Sequence, residues 1–352
     1  MLTPKNLNNT FSYKRLVNEL RKSISLMLLV LLLCSFVFMG VVGVQASNIR
    51  EARKHAEEML LPLEGITGIS YRENPPRIIV YLEHERYKDK VPDKIDGFKT
   101  EVVVIGKIEA LSLLQLEERI KPSYIYTEPV SRTSMVRPIV GGISLGVPED
   151  AYGGKMAWTL SIITKDGYIL SCAHVIAINS KAQFLPLGTA VLQPGTYDGG
   201  TIEDKVGELY KYIKITFGPK GKNYADAAIA KITISDYLVG EVLNSDDQNT
   251  YTISGTTEVS IGDSVRKSGR TTGVTTNTVF DTDATVKVWY SQIKWAIFYD
   301  QILVNQPFIN SGDSGSLVDK NGAFVGLAFA GSSATAVVCK AKYIISGLGI
   351  TI

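Results

Sequence analysis

Short apolar runs broken by turn residues fill the second half of the chain, and one unbroken apolar run lies near its start. From Arg137 onward the runs are "MAWTLSIIT", "GYILSCAHVIA", "DAAIAKITI", "TVKVWY", "AIFYDQILV" and "GSLVDKNGAFVGLAFA", separated by Gly, Asn and Asp. Many short strands with turn signals between them predict a sandwich or barrel. Upstream, "SNIREARKHAEEMLLPLEG" reads as a short helix capped by Asn48, with Glu51 three residues later. The runs "GITGISY", "RIIVYLEHE" and "KTEVVVIGKIEAL" read as strands. Ser47–Leu111 is therefore expected to be a small α/β domain, Ser112–Val136 a polar linker, and 137–352 the main β-rich domain.

Composition adds a globular body and a direction of export. The chain has 352 residues, 45% hydrophobic and 20% charged, as globular proteins do. Its net charge is +2, yet residues 1–22 alone carry +4, so the body is slightly acidic. Such a body has no electrostatic footprint for nucleic acid. Ile24–Ala46 carries no charge and follows the basic cluster directly. It fits a cleaved secretory signal and is also long enough to anchor in a membrane. Either way the body is expected outside the cytoplasm, secreted or membrane-anchored through Ile24–Ala46, and a homo-oligomer is left open. Cys34 lies in the apolar run, leaving Cys172 and Cys339, whose pairing the sequence leaves undecided. No Cys-x-x-Cys or paired-His pattern is present, so no metal and no cofactor are expected. His55 and His84 stand alone in polar surroundings and read as solvent-exposed.

Three segments carry chemistry. "LSCAHVIA" places His174 after a strand, "YADAAIAKI" places Asp226 at the mouth of an apolar strand, and "NSGDSGSLV" places Ser314 in a glycine-rich turn. Taken singly, each has a plain structural reading: a satisfied core histidine, a turn cap, a β-turn. Together they form a mechanism. A serine hydroxyl is a poor nucleophile until a neutral imidazole takes its proton, and a carboxylate on the other ring nitrogen fixes the tautomer. Flanking glycines let the backbone turn so that N–H groups, here those of Gly312 and Ser314, converge on an oxyanion. The order His, Asp, Ser is one of the chain orders in which this triad occurs.

With these residues in place, 137–352 resembles the chymotrypsin-fold (trypsin-like, PA-clan) serine peptidases, and within them a prokaryotic subgroup similar to the plant NARROW LEAF proteins. The motifs are "GGISLG", "LSCAHV", "LQPGTYDGG", "DAAIA", "KSGRTTGVTTNTV" and "GDSGSL…GLAFAGS", with Ser316 where trypsin-like enzymes carry a glycine. The resemblance implies two antiparallel six-stranded β-barrels and a serine endopeptidase that acts on proteins or peptides through an acyl-enzyme. It places Phe308 at the floor of the primary pocket, with Ala328, Phe329 and Ala330 in the wall. No carboxylate stands at Phe308, so a small or apolar side chain is expected there. "SGRTTG" could cradle a phosphate through Arg270; the resemblance instead makes it a hairpin near the cleft, with Arg270 a candidate cleft residue. The alternatives are a peptidase fold that binds or scaffolds without turnover, and an N-terminal domain acting as a pro-segment or inhibitor.

"RPIVGGISLG" (137–146) looks like an activation site, since trypsin-like zymogens are cut before an Ile whose new amine meets the Asp beside the nucleophile, here Asp313. Pro138 removes the N–H on the leaving side of the Arg137 bond. The Pro138–Ile139 bond is therefore expected to stay intact, with Gly141 and Gly142 bending the chain into the first barrel.

Overall fold

Ala52, Ala56 and Leu60 recur every four residues along the helix Ile49–Leu60 and are its buried side chains. That stripe packs on a small sheet of β1 (Ile66–Glu73), β2 (Pro76–Leu82) and β3 (Phe98–Val104). β1 and β2 run antiparallel, β2 and β3 parallel. This is a computed structural model, and it describes residues 48–110 and 130–352, with Ile49–Ile352 forming one compact unit. Ile24–Ala46, and with it the signal or anchor expectation and Cys34, lies outside the described residues, as does most of the expected linker. Among the described residues no helix is long and apolar enough to cross a membrane.

After β3 comes the two-residue strand β4 (Glu109–Ala110), and then the barrels. The first is built from β5 (Ser144–Leu145), β6 (Trp158–Thr159), β7 (Ile162–Ile163), β8 (Tyr168–Ser171), β9 (Ala190–Leu192), β10 (Lys205–Tyr212) and β11 (Ala228–Ile232). β5 pairs with β6; β7, β8, β11, β10 and β9 follow in antiparallel order, and the Gly146–Leu192 bridge returns from β9 to the end of β5. With β6 and β7 as one broken strand, this is a closed ring of six.

The second barrel uses β12 (Ser264–Gly269), β13 (Gly273–Trp289), β14 (Trp295–Asn305), β15 (Leu317–Lys320), β16 (Ala323–Gly331) and β17 (Thr335–Lys340). Antiparallel ladders run β12–β13–β14–β17–β16–β15 and back to β12, again a ring of six. The protein is thus mainly β, with two six-stranded antiparallel barrels, as the resemblance implies. Closure removes the free edges that an open sheet would expose.

The N-terminal strands join the second barrel's sheet. β1 pairs antiparallel with β13 at Gly68–Val286 and Ile69–Thr285. The approach is close: a Cβ on Gly68 would sit 2.7 Å from the Thr285 carbonyl oxygen. Ile297 of β14 belongs to the same apolar cluster as Ala52, Leu60 and Ile78. Val130–Val136, at the end of the expected linker, is bonded into the body. The buried Arg132 guanidinium donates to Asp247 (2.6 Å), Ser268 (2.7 Å) and the carbonyls of Gly142 (3.0 Å) and Asn244 (2.8 Å).

Candidate active site

His174 sits in the one-turn helix Ala173–Ile176 directly after β8, and Asp226 just before β11, the strand that pairs with β8. Adjacent strands therefore deliver the two side chains to one place. The imidazole Nδ1 lies 2.8 Å from Asp226 Oδ2, and the His174 backbone N–H donates to Oδ1 at 3.1 Å. Asp226 is fully buried and His174 is 7% exposed. Burial pushes the Asp226 carboxyl up. The adjacent imidazole, its backbone N–H and a third donor outweigh this and hold it below the usual carboxylate range.

That third donor is Tyr290, whose hydroxyl donates to Asp226 Oδ2 at 2.6 Å. Nothing in "VKVWYSQ" distinguishes this tyrosine from any aromatic at a strand end, so the sequence offered no signal for it. Tyr290 follows β13 and lies edge-on to the His174 ring at 6.0 Å. Trp158 does the same from the other barrel, also at 6.0 Å. Burial and the Asp226 charge push the Tyr290 phenol well up, so it stays a donor.

Ser314 is held by a turn that only glycine permits at two places. Gly312 and Gly315 both have φ +92°. A Cβ would lie 2.3 Å from Thr271 Oγ1 at the first and 2.3 Å from the Thr159 carbonyl oxygen at the second. Thr159 clamps the turn from the first barrel: its N–H donates to the Ser314 carbonyl (3.0 Å) and its hydroxyl to the Gly312 carbonyl (2.9 Å). No acceptor among the described residues takes the N–H of Gly312 or of Ser314. The Ser314 hydroxyl donates to the Phe329 carbonyl at 3.2 Å, while His174 Nε2 is buried without a partner. Ser314 Oγ and His174 Nε2 are therefore not hydrogen-bonded to each other.

Asp313, the residue before Ser314, is fully buried. It accepts the N–H groups of Thr271 (2.9 Å), Thr272 (3.1 Å) and Asn310 (2.9 Å), and the Thr272 hydroxyl (2.6 Å). Lys267 Nζ stands 3.7 Å away, fully buried, and burial brings its pKa down to about 8. The "SGRTTG" loop thus supplies three of these donors, the N–H groups of Thr271 and Thr272 and the Thr272 hydroxyl. Ile139 begins a short strand, Ile139–Gly141, and its N–H is bonded to the Asp236 carbonyl at 3.0 Å.

The structure buries all four expected pocket residues as packing, in two different apolar clusters. Phe308 is 1% exposed and shares an apolar cluster with Ala328, Val265 and Val318. Phe329 stacks at a tilt on Phe298, with 4.8 Å between ring centroids, and Ala330 is fully buried. The Arg270 guanidinium forks onto Asp198: Nε donates to Oδ2 at 2.7 Å and Nη2 to Oδ1. Asp198 also accepts Ser144 Oγ at 2.6 Å, and Arg270 Nη1 donates to Thr271 Oγ1 at 3.0 Å. The guanidinium that could have met a phosphate is therefore spent on joining "GTYDGG" of one barrel to "GRTTG" of the other.

Cys172, His174 and Asp226 offer ligand atoms within 4.8 Å of one another, which raises a metal. The donor chemistry does not fit one. The nearer imidazole nitrogen and both carboxylate oxygens already bond each other or Tyr290. Burial and the Asp226 charge push the Cys172 thiol well above its usual range, away from the thiolate a metal needs. Cys172 and Cys339 are both free and buried.

No protein-family model matches the sequence, and no curated protein does. Solved structures do. A chymotrypsin from Cellulomonas bogoriensis has 16% identity and a TM-score of 0.44, aligned over 61% of this chain and 97% of its own. Thermobifida fusca protease A has 17% identity and a TM-score of 0.43 over 60% and 97%. The Nocardiopsis protease has 18% identity and a TM-score of 0.44 over 61% and 99%. The chain resembles these serine proteases in fold.

Proposed function

We propose that the protein is a serine endopeptidase exported from the cytoplasm, acting on proteins or peptides. His174 serves as general base and then general acid, Asp226 orients it, and Ser314 attacks the scissile carbonyl. The N–H groups of Gly312 and Ser314 hold the oxyanion. The observation that carries this reading is the buried Asp226–His174 pair whose Nε2 is left without a partner, beside a serine on a glycine-built turn. Catalysis requires Ser314 Oγ to leave the Phe329 carbonyl and donate to His174 Nε2. The placement within the subgroup similar to the NARROW LEAF proteins rests on the motifs alone.

A second reading, peptide capture without turnover, is favoured by the unformed Ser314–His174 bond. One experiment separates the two. A fluorophosphonate probe is expected to label the protein, and labelling is expected to vanish in Ser314→Ala and in His174→Ala. A folded protein that never labels, either intact or cut between Ala110 and Val130, overturns the enzyme.

Tyr290 is a positioning residue in this scheme. Tyr290→Phe removes one donor from an ionised carboxylate, a bond worth about 1.5–3 kcal/mol. kcat/KM is expected to fall about tenfold or more, with its acid limb moved to higher pH, because the charge facing the imidazole is less neutralised. A drop in activity without movement of that limb would reduce Tyr290 to packing.

A further inference from the structure

The edge of β16 that faces Ser314 is shared by three things in succession. Ser316 and Gly315 come first: the Ala328 N–H donates to the Ser316 carbonyl at 3.0 Å, and the Gly315 N–H donates to the Ala328 carbonyl at 2.9 Å. Next is the Phe329 carbonyl, which accepts the Ser314 hydroxyl. Beyond it, Ala330 and Gly331 pair antiparallel with Ala110 and Glu109 of β4. β17 fills the other side of β16. A peptide that is to present a carbonyl to Ser314 has to arrive extended, and an extended peptide binds by adding a strand to an available edge. The available edge beside Ser314 already holds a strand.

That strand belongs to this chain, and it is held along its length. The Ile105 carbonyl accepts Ser332 Oγ, and the Ile108 carbonyl accepts the Trp289 N–H at 3.1 Å. Ile108 is fully buried in the main core. Lys107 lies 4.9 Å over the Trp289 ring and 2.7 Å from Glu109. Because β4 is antiparallel to β16, with Ala110 opposite Ala330, the chain leaves Ala110 in the direction of Phe329 and the nucleophile.

We propose that Lys107–Ala110 is a tethered occupant of the site's peptide-binding edge, bound as the N-terminal side of a substrate would be and excluding other peptides until it is displaced. This rests on the peptidase reading. An intramolecular competitor acts at an effective concentration in the millimolar range. It therefore raises KM for extended substrates and leaves kcat unchanged. A small probe that needs only Ser314 and His174 is affected far less.

The test compares the intact chain, Glu109→Pro, and the double variant Glu109→Gly with Ala110→Gly. Each is assayed with the fluorophosphonate probe and with a library of extended fluorogenic peptides. The expected result is similar labelling in all three, with KM at least tenfold lower in Glu109→Pro or in the double glycine variant. The glycines weaken the strand but keep every backbone N–H, so the double variant decides the matter where Glu109→Pro does not fold. Equal peptide KM in all forms, with labelling present, overturns the tether and leaves the peptidase standing. Absence of labelling in every form overturns both.

Discussion

Asp226→Asn is expected to fold and to lose about four orders of magnitude in kcat. The loss follows from which atoms face the carboxylate. Oδ1 receives the His174 backbone N–H, and Oδ2 receives both Nδ1 and the Tyr290 hydroxyl. An amide has one oxygen and one NH2 to offer in their place. With NH2 toward Nδ1, that nitrogen must become the acceptor, the ring proton moves to Nε2, and the base is lost. With NH2 toward the backbone, two donors face each other in a fully buried site. The thermal midpoint reports which arrangement forms, and hydrolysis by probe-reactive protein reports the loss. Activity within tenfold of the parent would remove Asp226 from the mechanism.

Arg270→Ala is expected to cost about 3–5 kcal/mol of stability, because it strands a buried carboxylate. Arg270 and Asp198 side chains are 7% and 6% exposed, and their fork joins the two barrels. Removing both charges together is a smaller insult: Arg270→Met with Asp198→Leu should recover most of the loss, since apolar replacements leave no uncompensated charge. Urea unfolding midpoints measure both. A loss below about 1 kcal/mol in the single variant would mean that water reaches Asp198 and that the pair is a surface bridge.

These two contacts also mark what could be read from the chain. His174, Asp226 and Ser314 stood out as candidates because a triad would demand those types and their neighbours build the local turn: the glycines around Ser314 are needed sterically, whatever the rest of the fold does. The short apolar runs pointed to a sandwich or barrel, and the resemblance of the motifs to two six-stranded barrels. Arg270 was visible as an unusual residue, but its partner Asp198 stands 72 positions away, and no local pattern links them. Tyr290 and Arg132 were missed for the same reason, since each acts through contacts that only the closed barrels create. The helix and strands of residues 49–104 were placed by periodicity, which gives faces and says nothing of which sheet they join. β4, only two residues long, has no periodic signature at all.

Arg132 separates two boundaries that "RPIVGG" invites one to equate. The strand Ile139–Gly141 starts directly after Pro138, yet the guanidinium six residues earlier bonds Gly142, Asn244 and Ser268. A chain beginning at Ile139 would leave those acceptors, and the Asp247 carboxylate, facing a hole where a cation had been. Maturation that preserves the barrels has to keep Arg132 attached, so a stable mature form begins no later than about Val130. The start of the strands and the start of the self-sufficient body are different residues.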